Sequence, residues 1–306
     1  MDFEKLRLFA KVAELGSLTK VAIMLDSTQS AISRRLSALE RDCGARLFHR
    51  TGRGVTLTPF GDRLLPRVRA LLLEVNQLSH DIHSAAGVPV GEVTIGMLPS
   101  MAHPLVGLLF RITRRTYPGI RLRVYEGLGG QLEEWLATGK IDVAILFRYG
   151  KGRSTDSQLL ARVDTYLIGP PGDPITKPPT VRFAQLNRLP LVLTGPPSRM
   201  RSMLGQISRR KGISLSVFLE ADSLTIQKDI VAAGDAYAVL ALPAVYREVQ
   251  LGRLQASRIV NPSIERMITL SSSTHHPQSL AARAVVQLIQ KVVDEFTDTF
   301  TWRRRP

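Results

Sequence analysis

Residues 17–40, SLTKVAIMLDSTQSAISRRLSALE, decide the fold. They read as two short helices joined by a tight polar turn at Asp26, Ser27 and Thr28. A helix pair of this kind lays its second member in a DNA major groove. Thr28 stands where an N-cap is wanted, before a periodic run. At about 100° per residue, Ile32, Leu36 and Leu39 fall on one side of the second helix. Gln29, Ser30, Ser33, Arg34 and Ser37 fall on the other, with no carboxylate among them. Gln pairs with adenine, Arg with guanine, and Ser with a base or a phosphate, while the free N–H groups of the helix start favour anions. An ordinary amphipathic helix shows the same division, so this helix alone leaves both readings open.

The flanking sequence favours the first. Ala22 supplies the small side chain that close helix packing needs. Phe3, Leu6, Phe9, Val12 and Ala13 have the spacing of a preceding helix. After Glu40, residues 46–58 (RLFHRTGRGVTLT) place Leu47, Val55 and Leu57 among polar residues around Thr51-Gly52-Arg53-Gly54, which predicts a hairpin. Arg53 at its tip is a candidate phosphate or minor-groove contact, alongside the ordinary reading of a solvated loop cation.

Thr58-Pro59 starts a further helix, with an N-cap followed by Pro at the first helical position. Leu64, Val68, Leu71, Val75, Leu78 and Ile82 then form an a/d seam. The seam predicts dimerisation through this helix, against the alternative of a helix packed on its own domain. Pro66 predicts a kink, or a regular part confined to its C-terminal side. His80 and His83 have a metal-compatible spacing but no carboxylate or Cys partner, so a solvated surface is expected. The run Ala85-Ala86-Gly87-Val88-Pro89 reads as a linker.

From Val90 strands alternate with helices. Strands are expected at 93–96, 120–124 and 141–147, with helices at 105–116 and 131–138 between them, so the sheet is mostly parallel. Past the turn-rich residues 169–179 comes a second set, with strands at 190–194, 217–220 and 237–242, helices after Ser198 and over 225–233, then a strand at 267–272 and a helix at 279–300. Ligands of open α/β sheets sit at the carboxyl ends of strands, near helix starts. That rule selects residues 98–101, 126–130, 147–149, 194–198 and 222–225, with Ser100, Met101, Gly127, Arg148, Ser198 and Ser223 as candidate effector contacts. Ser100 and Ser223 read equally as helix caps, and Arg148 as a member of a surface salt bridge.

Composition bounds the function. The 306 residues, 44% of them hydrophobic, suffice for two or three folded units. No apolar stretch is long enough to span a membrane, and Asp2 and Glu4 are unlike the start of a signal sequence. The single Cys43 allows no internal disulfide and is expected to be a packing residue in a reducing cytoplasm. A net charge of +15 favours a polyanionic partner. Residues 90–306 carry most of that excess, a hint of an anionic small-molecule effector. Ser17-Leu18-Thr19-Lys20 matches S-x-x-K, but the companion motifs of that catalytic class are missing, as are nucleophile-elbow, zinc-protease and phosphate-loop patterns. No enzyme activity, cofactor or metal is expected. For the tail Trp302-Arg303-Arg304-Arg305 the reading is a solvated terminus or an added phosphate contact.

The stretches FEKLRLFAKVAELGSLTKVA, STQSAISRRLSALERDCGARLFHRTGRGVTLTPFG and LLPRVRALL resemble the LysR-type transcriptional regulators. GSLTKVA, RTGRGVTLTPFG, GEVTIGMLPS and RIVNPSIERMITLSSS are similar to the subgroup of nitrogen assimilation regulators. Two departures stand out: Ser30 where the family has Pro, and Ser27 where it has an apolar turn residue. The resemblance implies a winged helix-turn-helix over 1–58, a linker and dimerisation helix over 59–89, and a two-lobed, periplasmic-binding-protein-like α/β module over 90–306. Lobe I would span about 90–165 and 267–300, and lobe II about 166–266. It also implies a cytoplasmic homotetramer built as a dimer of dimers, Thr28, Gln29, Ser30, Ser33, Arg34 and Arg53 on double-stranded DNA, and Ser100 and Ser223 at effector positions.

Overall fold

The computed structural model describes residues 2–52, 54–84, 87–149, 157–275 and 277–299. The chain divides into two compact units, Met1–Ala85 and Ala86–Pro306.

The first unit contains α1 (Phe3–Leu15), α2 (Leu18–Met24), α3 (Gln29–Cys43), a hairpin of β1 (Phe48–Thr51) and β2 (Gly54–Leu57), and α4 (Pro59–Ser84). Its helix starts are set by side chains. The Oγ atoms of Ser17 and Thr28 accept from the N–H groups of Lys20 (3.3 Å) and Ala31 (3.2 Å), each contributing about 1 kcal/mol. Leu6, Phe9, Val12, Val21, Ala22, Ile32, Leu36, Leu39 and Leu47 form the core, and the Phe9 and Phe48 rings meet edge to face at 5.5 Å. Phe3, which shares the apolar spacing of α1, is 45% exposed, because it lies in the first turn of α1, ahead of the buried stripe.

Backbone N–H groups help to tie the wing down. Glu40 Oε1 accepts from the N–H of Leu47 (2.8 Å) and of Phe48 (3.2 Å). The Val55 N–H donates to the Gly16 carbonyl at 2.9 Å. That contact requires glycine at 54, where φ is +143° and a Cβ would stand 2.3 Å from the Gly16 oxygen. Arg53 lies outside the described residues.

Helix α4 runs unbroken through Pro66. The regular part is therefore not confined to one side of the proline. Pro66 and Asp62, whose carbonyl loses its helical donor, are both exposed, so water can satisfy that oxygen. The seam residues divide. Val68 is 3% exposed in the head's own core, with Leu64 and Leu71 packed against it, so these three are largely spent within one chain. Farther along, Val75 is half-buried and Leu78 is 61% exposed. The side chains of Ile82, His80 and His83 lie outside the described residues.

The second unit is a sheet in the order β4-β3-β5-β12-β6-β10-β8-β9, with β11 on β6 and β7 on β11. The elements are β3 (Gly91–Met97), α5 (Pro99–Thr116), β4 (Ile120–Glu126), α6 (Gly129–Ala137), β5 (Val143–Arg148), β6 (Ser157–Gly169), β7 (Thr180–Arg182), β8 (Pro190–Leu193), α7 (Arg199–Lys211), β9 (Ser216–Glu220), α8 (Leu224–Ala233), β10 (Tyr237–Ala241), α9 (Tyr246–Gln250), β11 (Gln255–Val260), β12 (Glu265–Ser272) and α10 (Leu280–Thr299). Strand β6 joins two lobes. Its first part pairs antiparallel with β12, and its last part with β10 and β11. In lobe I, β12 returns antiparallel to β5, and the inward faces of α5 and α10 bury Leu105, Leu109, Val285 and Leu288 against the sheet. In lobe II, separate clusters cover the two faces of its sheet, around Phe183 and Leu191 on one and Val192 and Val231 on the other. Covered on both faces, the central strands are near-continuous apolar runs such as Val143–Phe147.

Candidate nucleic-acid interface and effector cleft

On the head, α3 buries Ile32, Leu36 and Leu39 and turns Gln29, Ser30, Arg34 and Arg35 to the surface. The turn before it is made by Asp26 in a left-handed conformation, with φ of 47°. The Ser27 N–H donates to the Ala22 carbonyl at 2.9 Å. Thr28 is exposed and shares a 3.0 Å hydroxyl contact with Ser30. Ser33 is half-buried and accepts at 2.6 Å from Nη2 of Arg50 on β1. Thus Arg50, which sequence reasoning passed over, bridges wing and helix, and Ser33 is partly occupied in holding it. The ion pairs described in the head are Lys5–Asp42, Arg7–Glu4 and Lys11–Glu14, and neither Arg34 nor Arg35 is among them. Cys43 is half-buried, and burial, helped by Asp42 and Glu40, pushes its thiol pKa up. That opposes thiolate chemistry.

Between the lobes of the second unit lies a cleft of about 140 Å³. The first turns of α5, α6, α7 and α8 line it, with Ser100 and Ser198 among the wall residues. Ser198 also caps α7, its Oγ accepting from the Arg201 N–H at 3.3 Å. Ser100 sits one residue inside the start of α5, whose N-cap is Leu98.

Four other candidates fall elsewhere. Met101 is 0% exposed in the lobe I core, because the next position of α5 faces the sheet. Gly127 is buried where a Cβ would strike Gln131 and Trp135, so it serves close packing of α6. Ser223 is exposed and caps α8, accepting from the Ile226 N–H at 3.4 Å, outside the cleft wall. Arg148 is paired with Glu133, and Glu133 reaches across the cleft to Nη2 of Arg199 at 2.8 and 3.0 Å. The guanidinium expected to meet an effector is thereby engaged in a lobe-to-lobe ion cluster.

Three cleft residues escaped the sequence reading. Gln227 is buried and donates to Ala221 O (2.6 Å) and Thr194 Oγ1 (3.3 Å). Glu133 was hidden in the middle of a helical run. Arg266 is buried at the floor, and burial pushes its pKa below the usual guanidinium value. It shares strand parity with the buried Ile268 and Leu270, and an Arg at an inward position was the available signal.

A groove-sized helix beside a wing in one unit, with a two-lobed cleft in the other, defines a DNA-binding regulator with a ligand-binding module. Comparison with known proteins gives the same class. Residues 3–62 match the family description "Bacterial regulatory helix-turn-helix protein, lysR family", and residues 86–294 match "LysR substrate binding domain". The chain therefore belongs to the LysR family of transcriptional regulators. It is 28% identical over 294 residues to the nitrogen assimilation regulatory protein nac of Escherichia coli strain K12, covering 96% of this chain and 95% of that one. It is 27% identical to the HTH-type transcriptional regulator CfxR of Cupriavidus necator, covering 93% and 90%. Among solved structures, full-length CbnR complexed with its target DNA aligns with a TM-score of 0.70 at 22% identity, covering 95% of this chain and 100% of that one. Among the described residues no helix is long and apolar enough to cross a membrane, and no group of His, Cys, Asp and Glu could hold a metal ion.

Proposed function

We propose that this LysR-type regulator reads DNA through Thr28, Gln29, Ser30, Ser33 and Arg34, with Arg53 on the neighbouring backbone or minor groove. The observation that carries the reading is the exposed N-terminal part of α3, where Gln29, Ser30, Arg34 and Arg35 present amide, hydroxyl and guanidinium groups and no carboxylate. Arg35 joins this set as a phosphate contact. In this reading the protein works in the cytoplasm without catalysis. Residues 1–58 form the reader, 59–89 the dimerisation segment and 90–306 the regulatory module. Dimers form through the distal half of α4, around Val75, Leu78 and Ile82, and dimers pair through the regulatory modules into a tetramer. A small effector in the interlobe cleft, touching Ser100 and Ser198, biases how the lobes close and so how the heads are spaced on DNA.

Selection from a random duplex library tests the reading. The full chain should enrich a two-fold-symmetric site whose halves are spaced by whole helical turns. Enrichment of no sequence above the input would refute specific readout by α3.

A further inference from the structure

Among the described residues Arg266 has no counter-ion. The residue is 4% exposed, and two of its N–H donors are engaged: Nε with Thr165 Oγ1 at 3.0 Å and Nη2 with the Val239 carbonyl at 3.3 Å. Both acceptors are neutral. The Phe147 ring centroid lies 5.3 Å from the guanidinium carbon. Among the described residues no carboxylate pairs with it; its strand neighbour Glu265 is bound to Arg162 at 2.6 Å. Withdrawing a cation from water costs several kcal/mol, and neutral dipoles with one aromatic face return only part of that. Nη1, which has no hydrogen bond among the described residues, belongs to a side chain that lines the cleft.

The surroundings also favour an anion. Four helix starts line the same cavity, and their N–H groups and dipoles attract negative charge. Of the two carboxylates on the wall, Glu133 is bound by Arg148 and Arg199, and Asp222 accepts from the Gly195 N–H at 3.2 Å. The rest is mainly apolar, with Leu128, Leu146, Phe147 and Leu240, and the volume is about that of a cavity that admits a benzene ring. Arg266 is the second residue of β12, where the chain comes back into lobe I, and its two acceptors sit on β6, which joins the lobes, and on β10 of lobe II.

We propose that the cleft binds a small organic monocarboxylate, its carboxylate on the open edge of Arg266 and its short apolar body against Leu128, Phe147 and Leu240. The proposal rests on the reading of the cleft as the effector site. A second carboxylate on the ligand would have to compete with Glu133 for Arg199 and would meet Asp222. Because Arg266 stands at the lobe junction, the bound anion would add to the contacts that fix the lobes relative to each other.

The test is calorimetric titration of the full chain with propionate, butyrate, pentanoate and hexanoate, each beside its primary amide and at matched ionic strength. At least one acid should bind saturably, about tenfold or more tighter than its amide. Succinate and glutarate should bind more weakly than the best monocarboxylate. Arg266→Gln should erase the acid–amide difference, and Arg266→Lys should keep a reduced one. The acid–amide comparison on the unaltered chain stands even if Arg266→Gln does not fold. Equal affinity for acid and amide, or tighter binding of the dicarboxylates, overturns the proposal while leaving an effector cleft in place. Failure of both series to bind overturns the cleft reading as well. DNA affinity, measured on the same samples, reports the head independently.

Discussion

Arginines without a carboxylate partner occur in both units, and their settings give them opposite uses. Arg34 and Arg35 stand on the surface of α3, where water solvates them and an unpaired charge costs nothing. Arg266 is enclosed by Thr165, Val239 and Phe147, where the same charge is expensive. Exposed cations are screened and act collectively, which suits a long polyanion whose binding weakens steeply with salt. A buried cation is screened little and acts alone, which suits one small anion. Charge type therefore says less about a partner than the dielectric around the charge.

The comparison breaks most readily at the head's core. Phe9→Ala should remove about 3–5 kcal/mol from the first unit. Two-probe denaturation should show the head melting early and the second unit unchanged; a shift of both would mean that the units fold together. Val75→Glu combined with Leu78→Glu should weaken dimerisation by on the order of a hundredfold, because charge would be buried at the seam. Sedimentation at stepped concentrations checks this, and an unchanged mass removes the distal half of α4 from the interface. Arg34→Ala should cost about 1–3 kcal/mol on the selected site and relax one base position. If affinity falls equally on every sequence, Arg34 is a phosphate contact instead.

A smaller effect concerns pH. Burial, with the hydrogen bond that the Tyr237 hydroxyl donates to Asp173 at 2.6 Å, pushes the Tyr237 pKa up to about 12. The folded value lies above the unfolded one, near 10. The stabilisation is thus complete below pH of about 10 and is lost as pH rises through about 12. Ultraviolet titration should find one tyrosine ionising late, and Tyr237→Phe should remove that step. A titration with every tyrosine near its ordinary value would deny the bond.

The head was largely legible because its local signals agree. The apolar period of α1 and α3, the caps at Thr28 and Thr58 and the two glycines of the wing all specify the same structure. The α/β alternation of the second unit was legible for the same reason. Strand β6 was not read, because Asp164 and Thr165 interrupt its apolar pattern at the point where it changes lobes. β7 escaped because it is only 3 residues long, and β11 because Ser257 and Arg258 interrupt its apolar run. In the cleft, the rule of strand ends selected loops that line the cavity, but of its chosen side chains only Ser100 and Ser198 stand on the wall. One residue along a helix start separates Ser100 on the wall from Met101 in the core, and no periodicity read from the sequence fixes that rotation. Arg266 was written into the strand pattern as an inward charge, yet its lack of a partner is visible only in three dimensions.

The central claim is that α3 reads a specific DNA sequence. The most direct measurement is a quantitative footprint of the full chain on DNA upstream of its own gene, with Gln29→Ala/Arg34→Ala run alongside at stepped salt. The account predicts protected patches separated by whole helical turns for the unaltered chain and only unpatterned, salt-sensitive binding for the variant. An identical footprint from both proteins would contradict it.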